Sequence, residues 1–194
     1  MTAGWGTAEP REDSLTVFLE KSVEKERRKK SRHRLCLDLA VTAAAVLVLF
    51  RIVCGIAVVQ GDSMEPSLTN GNTVFFYRLE TAYQRNSIVI FMPPGQKGLL
   101  IKRVVAVAGD RVDIDDKTGT FLVNGVSRQE EAANGRTYQR SGGIAFPFTV
   151  PKGCVFVLGD NRETALDSRS FGAVGINSLV GKVFFEARIL NHGT

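Results

Sequence analysis

The sequence predicts a mainly β domain carrying a small inserted β subdomain and preceded by one membrane-spanning helix. Three observations carry this reading. A 25-residue apolar run, Leu35 to Val59, follows directly on a basic stretch. Everything after it breaks into short runs rich in Val, Ile, Phe and Thr, separated by turn residues. Nowhere in that part do such runs alternate with helical patterns of the kind that build βαβ units.

In chain order, residues 1–20 are mixed and polar and are expected to be disordered. Residues 21–34, KSVEKERRKKSRHR, hold eight Lys/Arg against two Glu. A basic run of this kind also fits a nucleic-acid patch; the apolar run behind it points instead to a membrane flank. That run, LCLDLAVTAAAVLVLFRIVCGIAVV, is long enough to span a bilayer as a tilted helix. Asp38 can sit among headgroups and Arg51 can extend its charged end outward. The basic flank then places the amino terminus in the cytoplasm and residues 60–194 outside it. A cleaved leader fits less well, because 34 residues precede the run.

The organisation expected is a cytoplasmic tail (1–34), a transmembrane helix (35–59), a main β domain outside the cytoplasm (60–111 and 154–190) and an inserted β subdomain (112–153). Candidate strands are Thr73–Arg78, Ser87–Met92, Leu99–Ala108, Arg111–Ile114, Thr120–Val123, Cys154–Leu158 and Leu179–Ile189. Asn124-Gly125 between Val123 and Val126 reads as a tight hairpin turn. Residues 127–149, rich in Gly and Arg with little periodicity, are expected to be mobile.

Charge narrows the function. The whole chain is +5, but residues 60–194 hold fifteen Lys/Arg and thirteen Asp/Glu, so the outer part is nearly neutral and nucleic-acid binding has little support. Cys36, Cys54 and Cys154 form neither a CxxC pair nor an even framework, so a zinc site or disulfide scaffold is not indicated.

Three stretches can carry chemistry. Gly61-Asp62-Ser63-Met64-Glu65-Pro66-Ser67-Leu68 offers a serine in a glycine-entered turn closed by proline. Taken alone, it also fits an ordinary surface turn. A nucleophilic serine needs a base, and the two histidines, His33 in the basic tail and His192 near the end, are badly placed for that. The base must be a carboxylate or a lysine. In LLIKRVVAVA, residues 99–108, strand alternation puts Lys102 on one face with Leu100, Val104 and Ala106. Burial there disfavours the ammonium and lowers the lysine pKa towards a useful range. A snorkelling edge lysine is the plainer alternative. The third stretch, GDNRETALDSR from Gly159 to Arg169, offers an Asp167/Arg169 pair to brace a loop and Asn161 to bond backbone.

Together these stretches resemble the type I signal peptidases, the membrane-bound serine–lysine proteases that remove secretory signal peptides. GDSMEPSL is similar to that family's serine box, IKRVVAVAGDRV to its lysine box and GDNRETALDSR to its third box. NGNTVFF is similar to the segment after the serine, with Asn72 where the family usually has Asp. The likeness covers roughly residues 35–190 and implies a signal-peptidase-like β catalytic domain. It implies Ser63 as nucleophile, Lys102 as general base and the Ser63 amide as oxyanion donor. The extra hydroxyl some members carry two residues earlier is absent, since Gly61 stands there. Val59, Gly61, Leu68, Val74 and Ile101 match substrate-binding positions around an Ala-x-Ala segment. Asp160, Asn161, Asp167 and Arg169 match supporting positions. No cofactor or metal is implied. The implied partners are signal peptides of secretory precursors, membrane lipid and the nearby protein-export channel, with no nucleic acid. One departure stands out: the third box usually has a serine, holding the lysine amine, where this chain has Ala165. Two other readings share these residues. One is a membrane chaperone that holds pilins or other exported proteins without cutting; the other is a self-cleaving regulator, which lacks its DNA-binding domain here.

Overall fold

The computed structural model describes residues 14–128 and 133–187. Its one long helix, α1, runs Ser14–Val53. At 40 residues it extends about 60 Å, and among the described residues it is the only helix long and apolar enough to cross a membrane. Residues 14–20, expected to be disordered, are its first two turns; residues 1–13 of the expected tail lie outside the described part.

The apolar run does not stay helical to Val59. Cys54–Val58 is a strand, β1, whose five residues pair antiparallel with β2, Thr73–Tyr77, from Cys54↔Tyr77 to Val58↔Thr73. Gly55 admits this pairing because the Phe76 ring lies where a Cβ would stand. The strand leaves Ile56 and Val58 exposed while Gly55 and Val59 are buried, the two-residue alternation of a sheet rather than helical spacing. Hydropathy alone does not mark Cys54–Val58 within the run as strand.

The rest is β, as the sequence predicts. β3 is Ile88–Phe91, β4 Leu100–Val107, β5 Arg111–Asp115, β6 Thr120–Val123, β7 Val126–Ser127, β8 Phe148–Thr149, β9 Cys154–Leu158, β10 Val174–Gly175 and β11 Leu179–Ala187. One short helix, α2, spans Ser168–Phe171. The last two residues expected in the final strand, 188 and 189, lie outside the described part. Seven strands form one sheet in the order β1-β2-β11-β3-β4-β9-β10, and four form a second, β7-β6-β5-β8. In the β6–β7 hairpin, Asn124 (φ 53°) and Gly125 (φ 77°) both take the left-handed conformation that a tight hairpin requires.

β4 positions the site. It pairs with β3 from Ile88↔Arg103 to Phe91↔Leu100 and with β9 from Arg103↔Leu158 onward, with a bulge between Val104 and Ala106. The bulge breaks the alternation expected along residues 99–108. Val104 packs with Val89, Val155 and Val157, whereas Val105 and Ala106 both join the cluster of Val112, Phe121 and Phe156 beneath the second sheet. Lys102 lies before the bulge, so its expected place on the Leu100/Val104 face is unaffected.

Residues 134–144 are not a free excursion. The Asn134 amide donates to the Asp160 carbonyl and the Arg162 amide to Asn134, and the Ile144 amide donates to Arg169. The extended segment is strapped onto the third box by backbone bonds, which a lack of side-chain periodicity does not reveal.

Candidate active site

The serine turn is built by its own backbone. Gly61 has φ +85°, its amide donates to the Asn70 carboxamide oxygen at 3.0 Å, and beyond Ser63 the Glu65 and Leu68 amides donate to Asp62 and Met64 carbonyls. Met64 and Leu68 are buried and pin the turn into the core with Val59, Val74, Phe76 and Ile90. The turn therefore presents Ser63 while its neighbours on both sides are fixed.

Lys102 Nζ lies 2.7 Å from Ser63 Oγ and donates to the Ile101 carbonyl at 2.9 Å. The residue is only 2 % exposed. Burial pulls its pKa from 10.5 to about 8, against the opposing pull of Asp167, Asp160 and Asp62. The neutral amine is thus far better populated near neutral pH than in an ordinary lysine. These bonds on the amine side and the turn side hold Nζ and Oγ within hydrogen-bond reach, with no histidine partner among the described residues.

The third box closes over this pair. The Asn161 amide donates to the Ser63 carbonyl at 3.1 Å. Asp167 caps α2 and accepts from the Arg169 amide, from Arg169 Nε at 2.9 Å and Nη2 at 2.8 Å, and from the Gly159 amide at 3.2 Å. Both side chains are essentially inaccessible, so each charge depends on the other. Gly159 has no room for a Cβ, because Ala165 Cβ and the Ser63 carbonyl occupy that space. Asp160 binds Arg103 through two bonds, at 2.8 and 2.6 Å, and Arg103 also donates to the Ser67 hydroxyl at 3.0 Å. Arg103 ties the serine turn to the third box, and sequence reasoning missed it; its signal was its place next to Lys102 on the opposite strand face.

Ala165 is buried and offers no hydroxyl to Lys102, while the Thr164 hydroxyl donates to the Asp62 carboxylate at 3.3 Å. The Ile101 carbonyl is the amine's second partner instead.

A cleft of about 110 Å³ opens beside the pair, lined by Val58, Val59 and Gln60 on one side and Leu99, Leu100 and Ile101 on the other, with Ser63, Met64 and Lys102. Of the five residues expected around the substrate, Val59 and Ile101 line it. Leu68 and Val74 are fully buried in the core with Val59, and Gly61 is exposed in the turn. Val58, Gln60, Leu99 and Leu100 were not anticipated. Among the described residues no cluster of His, Cys, Asp and Glu could hold a metal.

The family model for signal peptidase, peptidase S26, matches residues 32–187. The chain belongs to this family. Membership makes it a serine endopeptidase, a hydrolase of the peptide bond. The peptidase S26 chain is 37% identical over 163 residues to a signal peptidase I of Bacillus caldolyticus, covering 76% of this chain and 86% of that one. It is 29% identical over 167 residues to signal peptidase IB of Staphylococcus aureus, covering 77% and 86%. Among solved structures, a signal peptidase I from Enterococcus faecalis matches at 31% identity and a TM-score of 0.44, over 54% of this chain and 98% of that one.

Proposed function

We propose that this chain removes signal peptides from exported precursor proteins, with Ser63 as nucleophile and Lys102 as general base, cutting after a segment of the Ala-x-Ala kind. The observation that carries the reading is a buried lysine amine, lowered to a pKa of about 8, lying 2.7 Å from a turn serine. Neutral Nζ takes the Ser63 proton as Oγ attacks the scissile carbonyl carbon. The oxyanion accepts from the Ser63 amide. The lysine ammonium then protonates the leaving amine, the carbon–nitrogen bond breaks, and an ester to Oγ remains. Nζ next takes a proton from water, whose hydroxide attacks the ester; the proton returns to Oγ as the peptide acid leaves.

The small cleft favours small side chains next to the cut, and β1, at the edge of its sheet, leaves one side open for an extended peptide to pair. Helix α1 anchors the enzyme in the membrane, with the amino terminus in the cytoplasm and the site outside; the seven-stranded sheet is its catalytic part and the four-stranded sheet its insertion. Ala165 is the one feature that favours a non-cutting holder of exported proteins instead. Incubating the full chain in detergent with a secretory precursor, beside Ser63→Ala, separates the two. Cleavage by the parent alone supports the peptidase; binding without cleavage by both would overturn it.

A further inference from the structure

Arg140 is one of two cations of the strap, beside Arg136, and it binds the turn of the third box. Its Nη2 donates to three main-chain carbonyls of one turn, those of Arg162 at 2.9 Å, Glu163 at 2.6 Å and Ala165 at 3.3 Å. Three converging carbonyl oxygens need a cation or several donors. The same turn runs back through the Ala165 amide, which donates to the Asn161 carbonyl, and the Asn161 amide holds the Ser63 carbonyl. A connected path of hydrogen bonds therefore leads from Arg140, through the turn, to the main chain of Ser63. None of its members is a substrate-facing side chain, and Arg140 does not line the cleft.

We propose that Arg140 is a positioning residue: by gathering the carbonyls of residues 162–165 it fixes the Asn161 amide against Ser63, and so sets Ser63 Oγ against Lys102. The inference rests on the catalytic reading of Ser63 and Lys102. Ala165 still contributes here, through its carbonyl rather than its side chain. Arg169 does not duplicate this role, because its guanidinium reaches only the Arg162 carbonyl within the turn, at 2.7 Å, and is otherwise committed to Asp167 and to the Tyr138 carbonyl.

The test uses the full chain in detergent with Arg140→Met and Arg140→Lys. Precursor cleavage gives kcat and KM, and amide hydrogen exchange followed at Asn161 and Ala165 reads the turn without reference to activity. Expected for Arg140→Met are a kcat at least tenfold lower with KM within twofold, and faster exchange at both amides while the β4 amides keep their protection. Arg140→Lys, which keeps the charge and one donor group, should recover part of both. Unchanged kcat beside unchanged Asn161 exchange would overturn the proposal. So would loss of protection throughout the sheet in step with the loss of activity, which marks a purely structural arginine, or a lysine variant no better than methionine. If the parent itself cuts no precursor, the catalytic reading fails, and the exchange at Asn161 still decides whether Arg140 holds the turn.

Discussion

Two lysines stand in one row of the seven-stranded sheet, on either side of Val89: Lys102 of β4 and Lys182 of β11. Residues directly opposite in antiparallel strands share a face, so sequence position and strand geometry treat them alike. Their surroundings do not. Lys182 is a third exposed and meets the Glu80 carboxylate at 3.5 Å. Lys102 is buried, its nearest polar neighbours are the Ser63 hydroxyl and the Ile101 carbonyl, and no carboxylate forms an ion pair with it among the described contacts. The same side chain is partly exposed and paired with a carboxylate at one place, and buried with its pKa lowered to about 8 at the other. What makes the difference is the company of neutral oxygens in a dry place, with carboxylates near enough to be felt but already occupied by Arg103 and Arg169.

The largest expected contrast is catalytic. Lys102→Met should lower precursor cleavage by about a thousandfold or more, within the range a general base supplies, while Lys182→Met should stay within about twofold of the parent, as expected for a partly exposed ion pair. The double variant Ser63→Ala/Lys102→Met should be no worse than either single one, since the two act as a unit. Comparable losses at both lysines would erase the distinction.

The ion pairs divide in the same way. Asp167→Asn leaves Arg169 buried with half its partner and should cost about 3–5 kcal/mol of stability in urea unfolding. Glu80→Gln, beside the exposed Lys182, should leave the unfolding midpoint unchanged.

Lys102 also carries a stability penalty with a definite pH signature. The folded protein sheds the lysine proton near 8 and the unfolded chain near 10.5. Below about pH 8 both states hold the proton and the folded state bears the full cost of a buried charge, about 3 kcal/mol for a shift of this size. Between the two values the unfolded state binds more protons, so parent stability rises with pH and the cost disappears. Lys102→Met should therefore be more stable than the parent at pH 7, and the gain should vanish by about pH 10.5. A parent that is the more stable one at pH 7 would mean that the contacts of Nζ outweigh its burial.

A modest gain is expected at Ala165. With the Ile101 carbonyl already holding the amine, Ala165→Ser should raise kcat by less than the tenfold that about 1.4 kcal/mol represents. A larger gain would show that the carbonyl is a poor substitute.

Much of this site was legible because short-range chemistry dictates it. A glycine-entered serine turn, a lysine within an apolar strand and an Asp-x-Arg loop each declare themselves over a few residues, and so does the Asn124-Gly125 hairpin. What escaped depends on distant partners. Cys54–Val58 is apolar enough for helix α1 and becomes a strand only because β2 lies beside it. Leu68 and Val74 are buried in the core beside Val59, and Val58, Leu99 and Leu100 line the cleft. Arg103 and Arg140 bind carbonyls and carboxylates that lie 57 and up to 25 residues away in sequence, and nothing local announces such bonds.

The claim that most needs testing is that a neutral Lys102 is the working base. The measurement is kcat/KM for precursor cleavage by the full chain between pH 6 and 10, in constant ionic strength, for the parent and for Lys182→Met. Both should rise about tenfold per pH unit at the acid end and level off near pH 8, because only the unprotonated amine can accept the Ser63 proton. A parent rate flat from pH 6 to 9, or a midpoint at the ordinary lysine value near 10.5, would contradict the assignment of Lys102 as a base tuned by burial.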